Sequence, residues 1–152
     1  MEYEVVTLEK KIVVGVSAVT GNQKPDMGAV IGGLWSSLYQ EGITEKIEHK
    51  ANPYCIGLYS DYAGEEYCVT VGHEVSELSK ANAENQTLTV KEIPAGNYAK
   101  FFIHGDVQKA VAEAWGAIWQ MDLDRSYAAD FEEYLSNEAG ESDINIYIAL
   151  NA

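Results

Sequence analysis

The stretch Asp26–Gln40, "DMGAVIGGLWSSLYQ", recurs in altered form at Asp106–Gln120 as "DVQKAVAEAWGAIWQ". In both stretches apolar residues follow the spacing of an amphipathic helix. Each begins with an aspartate, a residue type that caps helix N-termini well. The repeat therefore predicts two equivalent helices and an internal duplication of the chain.

The aromatic residues of the two stretches also correspond. Trp35 matches Trp115, and Tyr39 matches Trp119, so each predicted helix carries two rings spaced i, i+4 along one edge of its apolar stripe. We favour the interpretation that these rings pack in the core, and the alternative is that they contact a ligand.

Strand-like segments surround both helices in the same order. "KIVVGVSAVTG" and "AGNYAKFFIHG" precede them, and each helix is followed by two strand candidates around a turn, at Ala63-Gly64 in the first half and Ala139-Gly140 in the second. This order predicts an α+β fold in which duplicated strand-helix-strand-strand modules form a largely antiparallel sheet. Two main helices would cover one face, and a ligand cleft would occupy the other. We expect a single domain over residues 1–152, made of two pseudo-symmetric halves at about 1–78 and 88–152.

Strand alternation assigns side chains to the two faces. Phe101 and Ile146 belong to an aliphatic side that suits the helices. In "AADFEEYLSN" (128–137), Glu132 alternates with Phe131 and Glu133. We therefore expect a helix-free face that is amphipathic and suits the wall of a ligand cleft. Its members would be Glu132, Tyr134, Tyr59, Tyr98 and Tyr147.

Composition narrows the classes of function. The formal net charge is −14, which opposes direct binding to nucleic acid or to anionic membrane surfaces. No apolar run is long enough to span a membrane, and the first residues do not follow the order of a signal peptide, so we expect a cytoplasmic protein. Two cysteines and three histidines show no ligand spacing. We predict neither a metal nor a cofactor.

The segments "IPAGNYAKFFIHG", "DFEEY" and "INIYIAL", in this order after the first module, resemble the GyrI-like effector-binding domains. This family includes C-terminal domains of AraC-type and MerR-type regulators and stand-alone integron-associated effector-binding proteins. The resemblance implies a pseudo-two-fold fold whose central cleft accepts hydrophobic, often cationic molecules. It also implies that a buried glutamate, here Glu132, meets the charge.

The leading hypothesis is a stand-alone protein that binds amphipathic, cationic aromatic compounds, as multidrug-binding effector domains do. Some family members hydrolyse cyclopropane-containing alkylating compounds, and in that alternative Glu132 is the catalytic base; otherwise no catalytic residue is assigned. A third hypothesis is that the protein interacts with a separate transcription regulator. A homodimer is also possible, because an unpaired sheet edge could pair with that of a second copy. The candidate ligand-binding residues are Glu132, Tyr134, Tyr59, Tyr98, Tyr147, Trp35, Tyr39, Trp115 and Trp119.

Overall fold

The computed structural model of the protein describes residues 2–21, 24–135 and 141–151. The helices in these ranges are α1 (Met27–Gln40), α2 (Ile43–Lys46), α3 (Lys80–Glu84) and α4 (Val107–Trp119). The strands are β1 (Glu4–Leu8), β2 (Lys11–Gly21), β3 (Cys55–Ala63), β4 (Glu66–Val75), β5 (Thr89–Ile93), β6 (Gly96–Asp106), β7 (Arg125–Tyr134) and β8 (Glu141–Leu150).

Both helices predicted from the repeat are present, as α1 and α4. Their N-termini differ. The Asp106 carboxylate accepts a hydrogen bond from the Lys109 backbone N–H at 3.0 Å, as expected of a cap. Asp26 occupies the equivalent position, but its side chain makes no capping bond. The reason is its backbone, because a ψ of 7° departs from the extended conformation that aims a capping side chain at the helix.

The strands form one sheet in the order β1-β6-β8-β7-β3-β4-β2-β5, and every pairing is antiparallel. The α+β class and the duplicated strand-helix-strand-strand order are thus confirmed. Sequence patterns did not predict the two edge strands, β1 and β5. The turn expected at Ala139-Gly140 lies outside the described residues. None of the helices in the described ranges is long and apolar enough to cross a bilayer.

Helices α1 and α4 cover the same face of the sheet. Strand register links Val71, Gly57, Glu132, Ile146 and Phe101 in one row that crosses five strands. Paired residues point to the same side of a sheet, so the whole row faces one way. At one end of the row α1 packs over a cluster that contains Val71, and at the other α4 packs over a cluster that contains Ile146 and Phe101.

The helix-free face encloses a core of its own. Val6 from edge strand β1 packs in the same cluster as Ile93 from edge strand β5. These strands stand at opposite ends of the sheet order, and both reach the same core because the sheet is curled into a half-barrel. Large side chains fill the inside of the curl, Phe131 and Leu58 among them, and both are fully buried. The fold therefore has two apolar layers, one under the helices and one inside the curled sheet.

Candidate functional site

Glu132 lies on the helix-covered face and not, as predicted, on the helix-free face. Its neighbours in register are Gly57 on β3 and Ile146 on β8, and Ile146 packs beneath α4. Within β7 the alternation was right, because Glu132 and Phe131 point to opposite sides. The error was in how the faces of β7 and β8 were matched. The register pairs Phe131 with Tyr147, and it pairs Glu132 with Ile146 on the helix-covered face.

The Glu132 carboxylate is buried and holds three hydrogen bonds from aromatic side chains. It is 2% exposed. Its Oε2 accepts from the Trp115 indole N–H at 2.6 Å and from the Tyr59 hydroxyl at 3.1 Å. Its Oε1 accepts from the Tyr134 hydroxyl at 2.6 Å. Helix α4 and strands β3 and β7 each contribute one donor, so the carboxylate joins the helix layer to the middle of the sheet.

Burial raises the pKa of Glu132 above its ordinary value, and the bonds from Tyr134, Trp115 and Tyr59 oppose that rise. The neighbouring phenols respond to the same environment. Burial, together with the adjacent carboxylate, raises the pKa of Tyr59 and of Tyr134 well above the usual range of a phenol. Both tyrosines therefore stay protonated and remain donors to the carboxylate.

The site has an approximate two-fold arrangement about the β3–β7 pair. Gly57 faces Glu132 across that pair, and a tyrosine follows each of them two residues later, Tyr59 and Tyr134. A Cβ atom added to Gly57 would lie 3.1 Å from Glu132 Oε1 and 3.4 Å from the Trp35 ring. The glycine in one half therefore makes room for the carboxylate of the other half.

A cleft of about 470 Å³ opens between α1 and α4 directly above this network. The size lies within the range of small-molecule sites. Tyr59 and Trp115, two of the three donors to Glu132, form part of its lining. The remaining lining residues come from α1, from the rest of α4, from the sheet beneath and from the turn between β3 and β4. They are Met27, Ile31, Ala112, Trp119, Tyr62, Gly64, Glu65, Glu66, Tyr67, Arg125 and Tyr127.

The structure does not bring Tyr98 and Tyr147 to Glu132, so the predicted common face is wrong for these two residues. Both are buried in the core inside the curled sheet. Tyr98 donates to the Pro94 carbonyl at 2.7 Å, and the Tyr147 ring stacks on Phe131 with centroids 4.5 Å apart. Curling closes this face and creates a second core, and these rings are needed to fill it.

Trp35, Tyr39 and Tyr134 are not part of the cleft lining. The Trp35 ring packs edge-on against Tyr134 with centroids 5.0 Å apart. Tyr39 and Tyr134 line a second hollow of about 340 Å³, where the Tyr39 hydroxyl lies 3.4 Å from Cys55 Sγ. Of the nine predicted residues, Tyr59, Trp115 and Trp119 line the main cleft, with Glu132 beneath them.

Sequence reasoning missed several cleft residues, notably Tyr62, Tyr67, Arg125 and Tyr127. Alternation alone cannot find Tyr62 and Tyr127, because the register shifts beside them on both strands. A useful signal was available for Tyr67, whose neighbours in "EYCVTV" alternate regularly. As for metals, the described part of the chain holds no group of three or more histidine, cysteine or acidic residues that suits an ion.

Several solved structures share the fold of this chain. Among solved structures with the same fold, SAV2435 bound to tetraphenylphosphonium has a TM-score of 0.81 and 21% identity, and the match covers 100% of this chain and 95% of that one. An integron cassette protein from the mobile metagenome of Vibrio cholerae has a TM-score of 0.75 and 21% identity, covering 98% and 95%. The EcmrR C-terminal domain has a TM-score of 0.56 and 16% identity, covering 99% of both chains.

A search of curated proteins found no match. The model of one family, described as integron-associated effector binding protein, matches residues 4–150. This match confirms the resemblance drawn from the three sequence segments. Because it spans almost the whole chain, the protein belongs to the family of integron-associated effector-binding proteins.

Proposed function

We propose that this protein binds amphipathic, cationic aromatic compounds in the cleft between α1 and α4. The observation that carries the proposal is the buried Glu132 carboxylate, which takes hydrogen bonds from Trp115 and Tyr59 while the same two residues line the cleft. We also propose that residues 1–152 act as one effector-binding domain, whose halves at about 1–78 and 88–152 share the cleft.

The carboxylate would act on the ligand through the rings. Glu132 is 2% exposed, so a ligand in the cleft meets Tyr59 and Trp115 before it meets the acid. Aromatic faces attract cations by about 0.5–2 kcal/mol each. A ring that donates a hydrogen bond to a carboxylate carries more electron density, and the negative charge lies directly behind it. Both effects favour a cation over a neutral compound of the same shape.

The geometry favours binding over hydrolysis by Glu132. A general base must reach the proton of an attacking water. Here both carboxylate oxygens already accept hydrogen bonds, and the group lies beneath the cleft lining rather than in it. The hydrolase role, a homodimer and a separate regulator partner remain alternatives that carry no observation of comparable weight.

Tetraphenylphosphonium is a suitable probe, because SAV2435, a protein of the same fold, has been solved bound to it. We expect saturable one-to-one binding to this chain by isothermal titration calorimetry. Triphenylmethanol, a neutral compound that is also built from phenyl rings, should bind more weakly. Equal affinity for the two compounds, or no saturable binding of the cation, would contradict the proposal.

Replacing Trp115 with phenylalanine should weaken binding of tetraphenylphosphonium. The change keeps an aromatic ring in the cleft but removes the N–H that lies 2.6 Å from Glu132 Oε2. Losing this donor disfavours the ionised carboxylate and shrinks the ring that faces the ligand. We expect affinity to fall about five- to tenfold, or roughly 1–1.4 kcal/mol, by calorimetry at neutral pH.

The matched control is Trp35→Phe. Trp35 is the equivalent residue in the first half, but it packs against Tyr134 and is not part of the cleft lining. This variant should retain wild-type affinity. Equal losses in the two variants would show that ring packing, and not the bond to Glu132, sets the affinity.

The contribution of Glu132 to stability and the affinity for cations should change with pH in opposite directions. Burial raises the folded-state pKa of Glu132 above 4.5, so at pH values between 4.5 and the raised value the folded protein binds more protons than the unfolded chain. The contribution of this group to the free energy of unfolding is therefore full below pH 4.5 and is lost as pH rises through the folded pKa. Cation affinity should increase over the same interval, because the carboxylate ionises.

Chemical unfolding at a series of pH values, compared between wild-type protein and Glu132→Gln, measures the first trend, and calorimetric titrations measure the second. A Glu132→Gln variant should lose the pH dependence of affinity in this interval. An unchanged dependence in that variant would assign the titration to another group.

A further inference from the structure

At one end of the cleft, both central strands depart from regular pairing. The β3–β4 register shifts between Ser60 and Ala63, and the β7–β8 register shifts between Arg125 and Asp130. Tyr127, within the second irregular stretch, has a φ of 59°. The left-handed region is unfavourable for a bulky residue and persists only where the surroundings hold it. The two irregular stretches bring Tyr62, Arg125 and Tyr127 into the cleft wall.

Arg125 is positioned at this point by two contacts. Its Nη2 donates to Asp130 Oδ2 at 2.6 Å, and its guanidinium lies 4.3 Å from the centre of the Tyr127 ring. Asp130 is fully buried and is fixed in turn, because its Oδ2 also accepts from the Tyr62 hydroxyl at 2.5 Å and its Oδ1 accepts from the Ala149 backbone N–H at 3.0 Å.

The arginine has more donors than these partners use. A guanidinium carries five N–H groups, and among the described residues the only acceptor bonded to it is Asp130. The Nε atom is buried and has no acceptor there. Buried donors normally have a hydrogen-bond acceptor, and a buried donor without one is unfavourable. Nε itself is out of reach of a ligand, but the side chain keeps 14% of its surface exposed and lines the cleft, so a ligand atom can approach the Nη groups.

The surrounding charges define which acceptor suits this position. Asp130 already balances the arginine charge, Glu65 is exposed at the rim, and Glu132 lies below the cleft. Glu66, also at the rim, is paired with Lys24 at 2.8 Å. A ligand carboxylate would therefore meet more negative than positive charge, whereas an uncharged oxygen would accept from Arg125 without this repulsion.

We propose that Arg125, with Tyr127 over its guanidinium, forms a specificity subsite for an uncharged hydrogen-bond acceptor, such as an ether or carbonyl oxygen, on the cationic ligand. The proposal rests on the proposed function, because it places the cationic part of the ligand beside Tyr59 and Trp115. The preferred compounds are then cations that carry an oxygen acceptor at a distance from the charge.

The test uses matched pairs of alkyltriphenylphosphonium probes. In each pair one probe has a plain chain of butyl, pentyl, hexyl or heptyl length, and in the other an ether oxygen replaces the last methylene. We expect the ether probe of at least one chain length to bind wild-type protein about five- to tenfold more tightly than its alkyl partner, which is the range of the net contribution of one hydrogen bond.

Two variants isolate the arginine. Arg125→Met alone would leave Asp130 as an unpaired buried charge, which endangers folding. The double variant Arg125→Met, Asp130→Asn removes both charges, while Asp130→Asn alone retains the arginine. The ether preference should persist in the single variant. In the double variant it should vanish or reverse, because the ether oxygen would then be desolvated without a donor.

The alkyl probes distinguish failure of this subsite from failure of the proposed function. If alkyl probes bind and respond to Glu132→Gln, but the ether-to-alkyl affinity ratio is the same in all three proteins at every chain length, the Arg125 subsite is wrong and the cation site stands. If no probe of either kind binds wild-type protein, both proposals are wrong.

Discussion

Glu132→Gln is expected to weaken binding of tetraphenylphosphonium by about 1–3 kcal/mol, or roughly 5- to 150-fold, on the scale of hydrogen bonds to charged groups. The substitution keeps the shape of the side chain and removes its charge. It also turns one oxygen into an N–H₂ group that faces the donors Trp115, Tyr59 or Tyr134. Calorimetry measures the affinity, and thermal unfolding checks that the variant is folded. Binding of triphenylmethanol should change much less, because this neutral compound has no charge for the carboxylate to attract.

Glu133→Gln is the matched control. Glu133 is the next residue on the same strand, but it points to the opposite side, where its Oε1 accepts from the Asn145 amide at 3.2 Å. This variant should bind the cation as wild-type protein does. Equal losses in the two variants would mean that the net charge of the protein, rather than the buried carboxylate, attracts the cation.

Gly72→Ala is expected to destabilise the fold by about 3 kcal/mol, at the upper end of overpacking effects. Gly72 on β4 faces Gly15 on β2, and the two backbones approach closely. A Cβ on Gly72 would lie 2.0 Å from the Val14 carbonyl oxygen, and one on Gly15 would lie 2.0 Å from the Val71 carbonyl oxygen. These are backbone atoms in a paired strand, so they cannot move aside without breaking sheet hydrogen bonds. Urea unfolding measures the change.

Gly33→Ala provides the comparison for the same chemical change. Gly33 is exposed within α1, and a Cβ there would meet no atom within 4 Å. Alanine favours helix over glycine by about 0.5–1 kcal/mol, so this variant should be more stable than wild type. If Gly72→Ala proved as stable as wild type, the close approach of β2 and β4 would be wrong.

Much of the architecture was predictable because it depends on local patterns. The repeat at Asp26–Gln40 and Asp106–Gln120 has helical spacing that needs no knowledge of the rest of the chain, and it led to α1 and α4. The edge strands β1 and β5 were not predicted, because five-residue strands carry little periodic signal. Their pairing depends on the unpaired edges of β6 and β2, which exist only after the central sheet has formed.

Alternation on β7 separated Glu132 from Glu133, and the resemblance selected Glu132 as the candidate acid; both inferences required only a short stretch of sequence. Which face of the sheet receives Glu132 was decided by register, since a shift of one residue between neighbouring strands exchanges the two faces. Curling of the sheet then buried Tyr98 and Tyr147 in the inner core, and irregular pairing brought Arg125 and Tyr127 to the cleft. The sequence by itself thus determined the helices α1 and α4, the central strands and the candidate acid. Only the tertiary structure decided the acid's neighbours, because register and curvature arise from contacts between segments far apart in the chain.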